Sequence, residues 1–374
     1  MNSKPLEGEN VPETSKNALI VFIGTYTEKE GSQSKGIYMY RMDPISGELT
    51  FQWEAKGLLN PSYLAIHPQK MFLYAVNETP NFGGQEGGGV TALSIDSISA
   101  ELNVLNAYSS QGKDPCYISI EQTGRFALVA NYSGGNAAIL PILEDGQLGP
   151  ASDVVQHVGS SVHPERQTDP FAHSILPDPT NRFAIAADLG ADKLIIYEMD
   201  LEQGKLKKHA EVNVKPGSGP RHSIFHPNGN HLYLLNELNS TVIVFRYNSE
   251  AGHLEEVQTI STLPPDFEGE NLCADLHIYG KFLYASNRKH DSIAWYLIDE
   301  NTGRLTYQGE VPSGGKEPRG FDIDPSGNFL LAAHERSDNV VIFQLDPATG
   351  EPLKTGKKIK VSFPVCVKFT YLEE

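Results

Sequence analysis

Cysteine is scarce in this chain. Its 374 residues hold three, Cys116, Cys273 and Cys366. The count is odd and no pair has C-x-x-C spacing, which argues against a disulfide framework and against a zinc or dithiol redox site. The three read as small buried hydrophobes in a reducing compartment. Positive charge is also short: 30 Lys and Arg stand against 47 Asp and Glu, a formal net charge of -17. A nucleic-acid partner needs a basic face to neutralise phosphates and is excluded on that ground. An anionic substrate must be met by local cations, against the overall field. Long apolar runs are missing. No stretch approaches the length of a transmembrane helix, so no membrane partner is expected. Met1 to Asn17 is polar and acid-bearing, without the apolar centre of a signal peptide; the expected location is cytoplasmic. Familiar catalytic phrases are missing as well. There is no G-x-S-x-G elbow, no H-E-x-x-H and no phosphate loop. Without a serine elbow an acyl-enzyme is disfavoured, and any hydrolysis would use directly activated water.

What the chain does have is Gly (34 residues), Pro (24 residues) and a recurring phrase. The phrase begins at Pro, alternates apolar and polar residues, turns through a Pro/Gly element and continues as a second apolar run. Clear copies are Pro61-SYLAIHPQKMFLYAVNE, Pro115-CYISIEQTGRFALVANY, Pro220-RHSIFHPNGNHLYLLNE and Pro318-RGFDIDPSGNFLLAAHE. A longer copy starts at Pro170, one without Pro runs LCADLHIYGKFLYASNR from Leu272, and a truncated one is Pro364-VCVKF. The seven anchors are spaced at roughly 46 to 55 residues, a period in the range of propeller repeats. Period-two alternation makes each copy a pair of short antiparallel strands joined by a tight turn.

A third strand follows each pair, as in GIYMYRMD, KLIIYEMD and VVIFQLD, and most lead into Asp-x-x-x-Gly-x-Leu turns such as Asp43-PISGEL and Asp299-ENTGRL. Asp starts such turns and Gly supplies the positive φ they need. A fourth, outer strand is expected in the variable stretch that follows. The fold class is therefore all-β: a seven-bladed β-propeller with four-stranded antiparallel blades. Its ring is closed by the C-terminal strand, which joins the N-terminal blade as its innermost strand. Residues 18–374 form this one domain. Residues 1–17 lie outside the repeat and are expected to be disordered.

In such a ring the first strand of each blade lines the channel, and the ends of the first hairpin converge at one mouth. The anchor positions bring His173, Arg221, His222 and Arg319 there. The second-strand ends bring Asn77 and Glu78, Asn131 and Tyr132, Asp188, Asn236 and Glu237, Asn287 and Arg288, and His334 and Glu335. Polar residues at strand ends cost little, so each one alone also reads as solvated rim. Three Arg, three His and three Glu aimed at one rim read better as a binding site. His67 and His226 fall in turns at the opposite end. His163 and Arg166 lie in the long segment Gly159-SSVHPERQTDP, which reads equally as a lid over the mouth or as a plain connection. Gly83-GQEGGG precedes no helix and is a poor phosphate cradle. A calcium site would need a dedicated oxygen ligand set, which the rim lacks, so no metal and no cofactor are expected. Nothing in the pattern specifies an oligomeric state.

At these residues the chain resembles the seven-bladed lactonase family, which includes the propeller-type bacterial 6-phosphogluconolactonase and the fungal carboxy-cis,cis-muconate cyclising enzyme. The resemblance runs from about Val21 to Phe369. It is carried by FIGTYT, VANYSGGNAAILPI, ERQTDPFAHSILPDPTNRF, DLGADKLIIY, GSGPRHSIFHPNG, LNELNSTVIVF, SNRKHDSIAWY and EPRGFDIDPSGNFLLAA. It implies that His173, Arg221, Glu237 and Arg288 are catalytic. Arg319, His222, Asn131, Asn236, Asn287, His334 and Glu335 are the expected substrate-binding set. Three departures stand out: Phe171 where the family often has a first His, Lys289 where it commonly has Gly, and Gly320 where a larger side chain is frequent.

The implied reaction is hydrolysis of a small anionic sugar lactone, foremost 6-phosphogluconolactone. Glu237 is the preferred base, with His173 donating to the departing ring oxygen and Arg221 and Arg288 holding the oxyanion or a substrate anion. Two alternatives remain open: cyclisation of a carboxymuconate-type diacid to a lactone, and a propeller that binds a ligand without catalysis.

Overall fold

The alternating phrase folds as seven hairpins arranged around one axis, as seen in a computed structural model that describes residues 18–372. The tail expected at 1–17 lies outside the described residues. Each hairpin is extended outward by two more strands, giving seven four-stranded antiparallel sheets. Blade one takes its inner strand, Pro364–Leu372, from the end of the chain and its other three, Ala18–Thr25, Gly36–Met42 and Leu49–Lys56, from the beginning. The seam is a full ladder: Leu19 opposes Tyr371, Val21 opposes Phe369 and Ile23 opposes Val367. The inner strands of blades two to seven are Leu64–Ile66, Pro115–Ile120, Ala172–Pro177, Pro220–Phe225, Leu272–Tyr279 and Pro318–Ile323. Each touches the next, and Pro364–Leu372 touches Leu64–Ile66, so the ring closes.

Burial explains the composition of each strand. Second strands such as Phe183–Asp188 and His231–Asn236 are buried throughout, because neighbouring blades cover both faces. They are accordingly near-continuous apolar runs. Outer strands such as Lys205–Asn213 are largely exposed, and their polar residues face water. The core is a set of layers between blades; Ile185, Leu194 and Ile196 of blade four, for example, pack on Leu232, Ile243 and Phe245 of blade five.

The Asp-x-x-x-Gly turns lock one blade to the next. Asp43, Asp299 and Asp346 each accept backbone N–H groups of their own turn. The Gly that ends the turn has positive φ and lies against the first side chain of the preceding blade's second strand. Gly350 (φ +72) sits on the Phe282 ring and Gly252 (φ +57) on Phe183, each too close for a Cβ. The Tyr74, Tyr233 and Tyr284 hydroxyls donate to the carbonyls of Gly146, Gly303 and Gly350 in the same latch. The stretch Gly83-GQEGGG builds a small extra hairpin, Asn81–Phe82 with Gln85–Glu86.

Candidate active site

The inner strands do not run in perfect register. In blade three the ladder skips Cys116, in blade four His173, in blade five Arg221 and in blade seven Arg319. Blade six skips Ala274 and Asp275, and blade one skips Val365. Each skip is a β-bulge, which frees a residue from the ladder and re-aims its side chain. The Pro anchor marks it in sequence: in four of these blades the bulged residue directly follows Pro, and in blade four it is the third residue after Pro170. This local irregularity is what points His173, Arg221 and Arg319 into the channel mouth.

Glu237, at the end of blade five's second strand, collects them. Its carboxylate accepts from Arg166 Nη2 at 2.6 Å and Arg221 Nε at 2.9 Å, and pairs with the Arg288 guanidinium, Nη2 2.8 Å away. His173 Nε2 lies 3.9 Å away. Arg221 Nη1 also donates to the Ala274 carbonyl and Arg288 Nη2 to that of Cys273 at 2.9 Å, both opened by the bulge in blade six. All of these side chains except Arg166 are nearly inaccessible to solvent. Tyr132, stacked on Phe171 at 4.8 Å, presents its ring to the His173 edge at 5.3 Å and its hydroxyl to Arg166 at 3.1 Å. Phe171, a departure from the family pattern, thus serves as an aromatic platform. Gly320, another departure, is required by close approach, since a Cβ there would strike the Val365 carbonyl.

A second cluster faces the first. Glu78 accepts from Tyr26 and Ser62 hydroxyls. Arg319 lies over the Tyr26 ring at 5.5 Å and 3.7 Å from Glu335. Between the clusters is a cavity of about 10 Å³, lined by Glu78, Cys116, Arg221, His222 and Arg319, with room for about one water. Below it, polar groups continue into the channel. His222 Nδ1 is 2.9 Å from Asp275, His277 bridges Asp275 and Asp322 at 3.3 Å each, and Lys368 lies over the Tyr63 ring.

The charges sort cleanly. Burial opposes ionisation of Glu237, but the Arg288, Arg221 and Arg166 guanidinium groups outweigh it and hold the carboxyl well below the usual range. Burial, with Arg221 and His222 beside it, pushes His173 well below an ordinary imidazole despite Glu237. Burial and Arg221 push His222 down to about 4 against the pull of Asp275. Both imidazoles are therefore neutral at neutral pH. His222 then donates from Nδ1 to Asp275 and can accept from Arg221 at Nε2, 3.2 Å away. Burial and the neighbouring Arg288 bring the Arg221 guanidinium down to about 10, still cationic.

The structure brings His173, Glu237, Arg221 and Arg288 into contact range, with His222 and Arg319 beside them and Glu335 on Arg319. It does not bring the remaining members of the sequence-derived binding set there. Asn131 donates to the Ser110 carbonyl and to Asn136, Asn236 to Thr241, and Asn287 to the Thr262 carbonyl and Ser292. Their amides bond to the start of the next strand and, for Asn131 and Asn287, to the loop that enters the blade, rather than to the cluster around Glu237. His334 is fully buried beside its own turn, Nδ1 3.3 Å from the Asn339 carbonyl. Asp188 holds His157 at 2.6 Å and the Phe171 backbone N–H at 3.0 Å. His67, in a far-end turn, reaches the Gly124 carbonyl.

Three features were missed. Arg166, left undecided, is carried across the mouth by a compact turn in which the Gln167 side chain is buried and donates to the Leu189 carbonyl. Asp275 was visible as an acid inside an apolar inner strand, but blade six lacks the Pro that phased the others. Asp192, Asp291 and Asp338, each just before a third strand, accept from Gly217 and Gly219, from Glu317 and from Phe363, steadying the loops that lead into the next inner strand.

The chain matches the family model described as lactonase, 7-bladed beta-propeller, over residues 20–369. It is 37% identical to the 6-phosphogluconolactonase of Bacillus subtilis over 354 residues, covering 94% of this chain and 98% of that protein. It is 33% identical to the 6-phosphogluconolactonase of Formosa agariphila, covering 94% and 99%. Among solved structures, the periplasmic gluconolactonase PpgL of Pseudomonas aeruginosa superposes with a TM-score of 0.89 at 34% identity, covering 95% of this chain and 99% of that one.

Proposed function

This chain belongs to the seven-bladed β-propeller lactonase family, and from that premise we propose that it hydrolyses a sugar lactone at the channel mouth, 6-phosphogluconolactone being the foremost candidate. The observation that carries the reading is the meeting of Glu237 with Arg166, Arg221, Arg288 and His173, drawn from three blades and a loop into the span of one small molecule.

The charge pattern argues for a division of labour different from the one the sequence suggested. A carboxylate held by three guanidinium groups is a weak base, because protonation would forfeit those pairs. A neutral, buried imidazole beside it is the better proton acceptor. In this reading His173 takes a proton from water as its oxygen bonds to the lactone carbonyl carbon. Glu237, 3.9 Å from the ring, stabilises by its charge the imidazolium that forms. Arg221 and Arg288 face the oxygen that becomes negative. When the ring C–O bond breaks, His173 returns the proton to the departing alkoxide, leaving a hydroxy acid. One or two placed groups, each contributing about 10²–10⁴-fold, are enough for a bond that already opens slowly in water.

The test is hydrolysis of 6-phosphogluconolactone measured above its spontaneous rate, with and without EDTA. Turnover unaffected by the chelator supports the mechanism. A rate no greater than the background, or one abolished by EDTA, removes it.

A further inference from the structure

The relatives divide over one feature of the substrate: some are named for a phosphorylated lactone, one for gluconolactone. Five equivalent turns in this chain, joining second to third strands in blades three to seven, allow a residue-level comparison. In all five the fifth residue, counted from the second-strand residue that pairs with the start of the third strand (Asn131, Asp188, Asn236, Asn287 and His334), has positive φ: Gly135, Asp192, Ser240, Asp291 and Asp338. The third residue does not, except in blade six. There it is Lys289, at φ +72. An L-residue with a long side chain in this region costs of order 1 kcal/mol, a strain usually left to Gly.

The strained position holds an ammonium over a cleft. Lys289 directly follows Arg288, and its side chain lines an open cleft of about 580 Å³. Arg166, which bonds Glu237 at the mouth, lines the same cleft with His163, Asn239, Ser240 and Glu270. The cleft therefore continues the catalytic cluster outward, with a guanidinium at the shared wall and an ammonium further out. Glu165 and Glu270 also face it. The Glu270 carboxylate sits 2.5 Å from Lys289 Nζ and is 85% exposed. Exposed pairs of this kind contribute little, so a substrate anion can displace it.

We propose that Lys289 and Arg166 form the subsite for the phosphate of a phosphorylated sugar lactone, with Glu270 holding Lys289 in place when the subsite is empty. The idea rests on the lactonase reading above and makes Lys289 a specificity-determining residue. In the phosphorylated lactone the phosphate lies several bonds from the ring oxygen, so it extends beyond the reacting carbonyl while that carbonyl faces Arg221 and Arg288. Phosphate is met by charge-assisted hydrogen bonds from Arg and by the point charge of Lys, in a protein whose overall charge would otherwise repel it.

The experiment is the ratio of kcat/KM for 6-phosphogluconolactone to that for gluconolactone. Lys289→Met removes the charge at the same backbone conformation, and Lys289→Gly removes the charge while relieving the positive φ. Both are expected to lower the ratio about tenfold or more, the loss of one strong charged contact. Glu270→Gln is expected to raise it. If wild type hydrolyses both lactones and the ratio is the same in both Lys289 variants, the subsite is wrong and the lactonase reading stands. If wild type hydrolyses neither, that reading falls and the subsite with it.

Discussion

His173 and Glu237 face each other across the boundary of blades four and five, Nε2 3.9 Å from Oε2, with Arg221 and Arg288 ion-paired to that same carboxylate oxygen. The gap is too long for a hydrogen bond. A proton placed on the imidazole makes the pair attractive, whereas a proton on the carboxyl breaks three ion pairs. The asymmetry decides which partner accepts the proton of water.

Glu237→Gln tests the carboxylate. The change leaves Arg166, Arg221 and Arg288 crowded around a neutral amide. Breaking a buried pair from one side costs about 3–5 kcal/mol of stability. Turnover is expected to fall by about 10²-fold or more, alongside a lowered melting temperature. Normal kcat in a stably folded variant would contradict the role.

His173→Ala tests the base. Its kcat is expected to fall by about 10²–10⁴-fold while the fold persists, since the side chain leaves no charge unpaired. In wild type the acid limb of kcat/KM should lie below pH 6.5, the ordinary imidazole value, because burial and Arg221 keep the ring unprotonated below it. An acid limb above pH 6.5 would assign the base elsewhere.

Stability should respond to acid in a particular window. His173 and His222 fold with depressed pKa values, His222 at about 4. The unfolded chain takes up protons on both as pH falls through about 6.5, while the folded protein does not. The stability they contribute is complete above that pH and is lost toward pH 4. His277 works in the opposite sense. Burial opposes its charge, but Asp275 and Asp322 raise its pKa. Its contribution is complete below the unfolded value and is lost as pH rises through the folded one. Burial depresses His231 and His334 as well, His334 to about 4; with four groups against one, denaturant midpoints are expected to fall between pH 7 and pH 5, and an unchanged midpoint would refute this balance.

Much of this was legible in the sequence, for physical reasons that differ from residue to residue. Seven Pro-anchored alternations disclose seven hairpins because a strand buried on both faces has to be apolar. The same Pro lies directly before the bulged Arg221 and Arg319 and three residues before the bulged His173, so all three could be phased onto the mouth. Asn131, Asn236 and Asn287 share that phase, yet their amides bond back into the sheet. Phase gives the end of a strand, not the direction of a side chain. Arg166 was illegible for another reason: it reaches Glu237 from a loop without period, placed by the buried Gln167.

Gly350→Ala tests the latch between blades. The Cβ would meet the Phe282 ring and the backbone has φ +72. The two penalties together amount to about 2–4 kcal/mol. Calorimetry should show a lower melting temperature with unchanged KM, since the turn is remote from the mouth. A variant as stable as wild type would mean that the ring is not held there.

Cys116 and Val365 occupy bulges of the same kind as His173 and Arg221, and both line the small cavity between the clusters. Neither is paired in its ladder, so a replacement at either position would introduce new chemistry without disturbing strand pairing. They are two sockets in the ring that carry no ionised group, where a protein engineer could mount an acid, a base or a metal ligand near Arg221 while leaving the seven blades as they are.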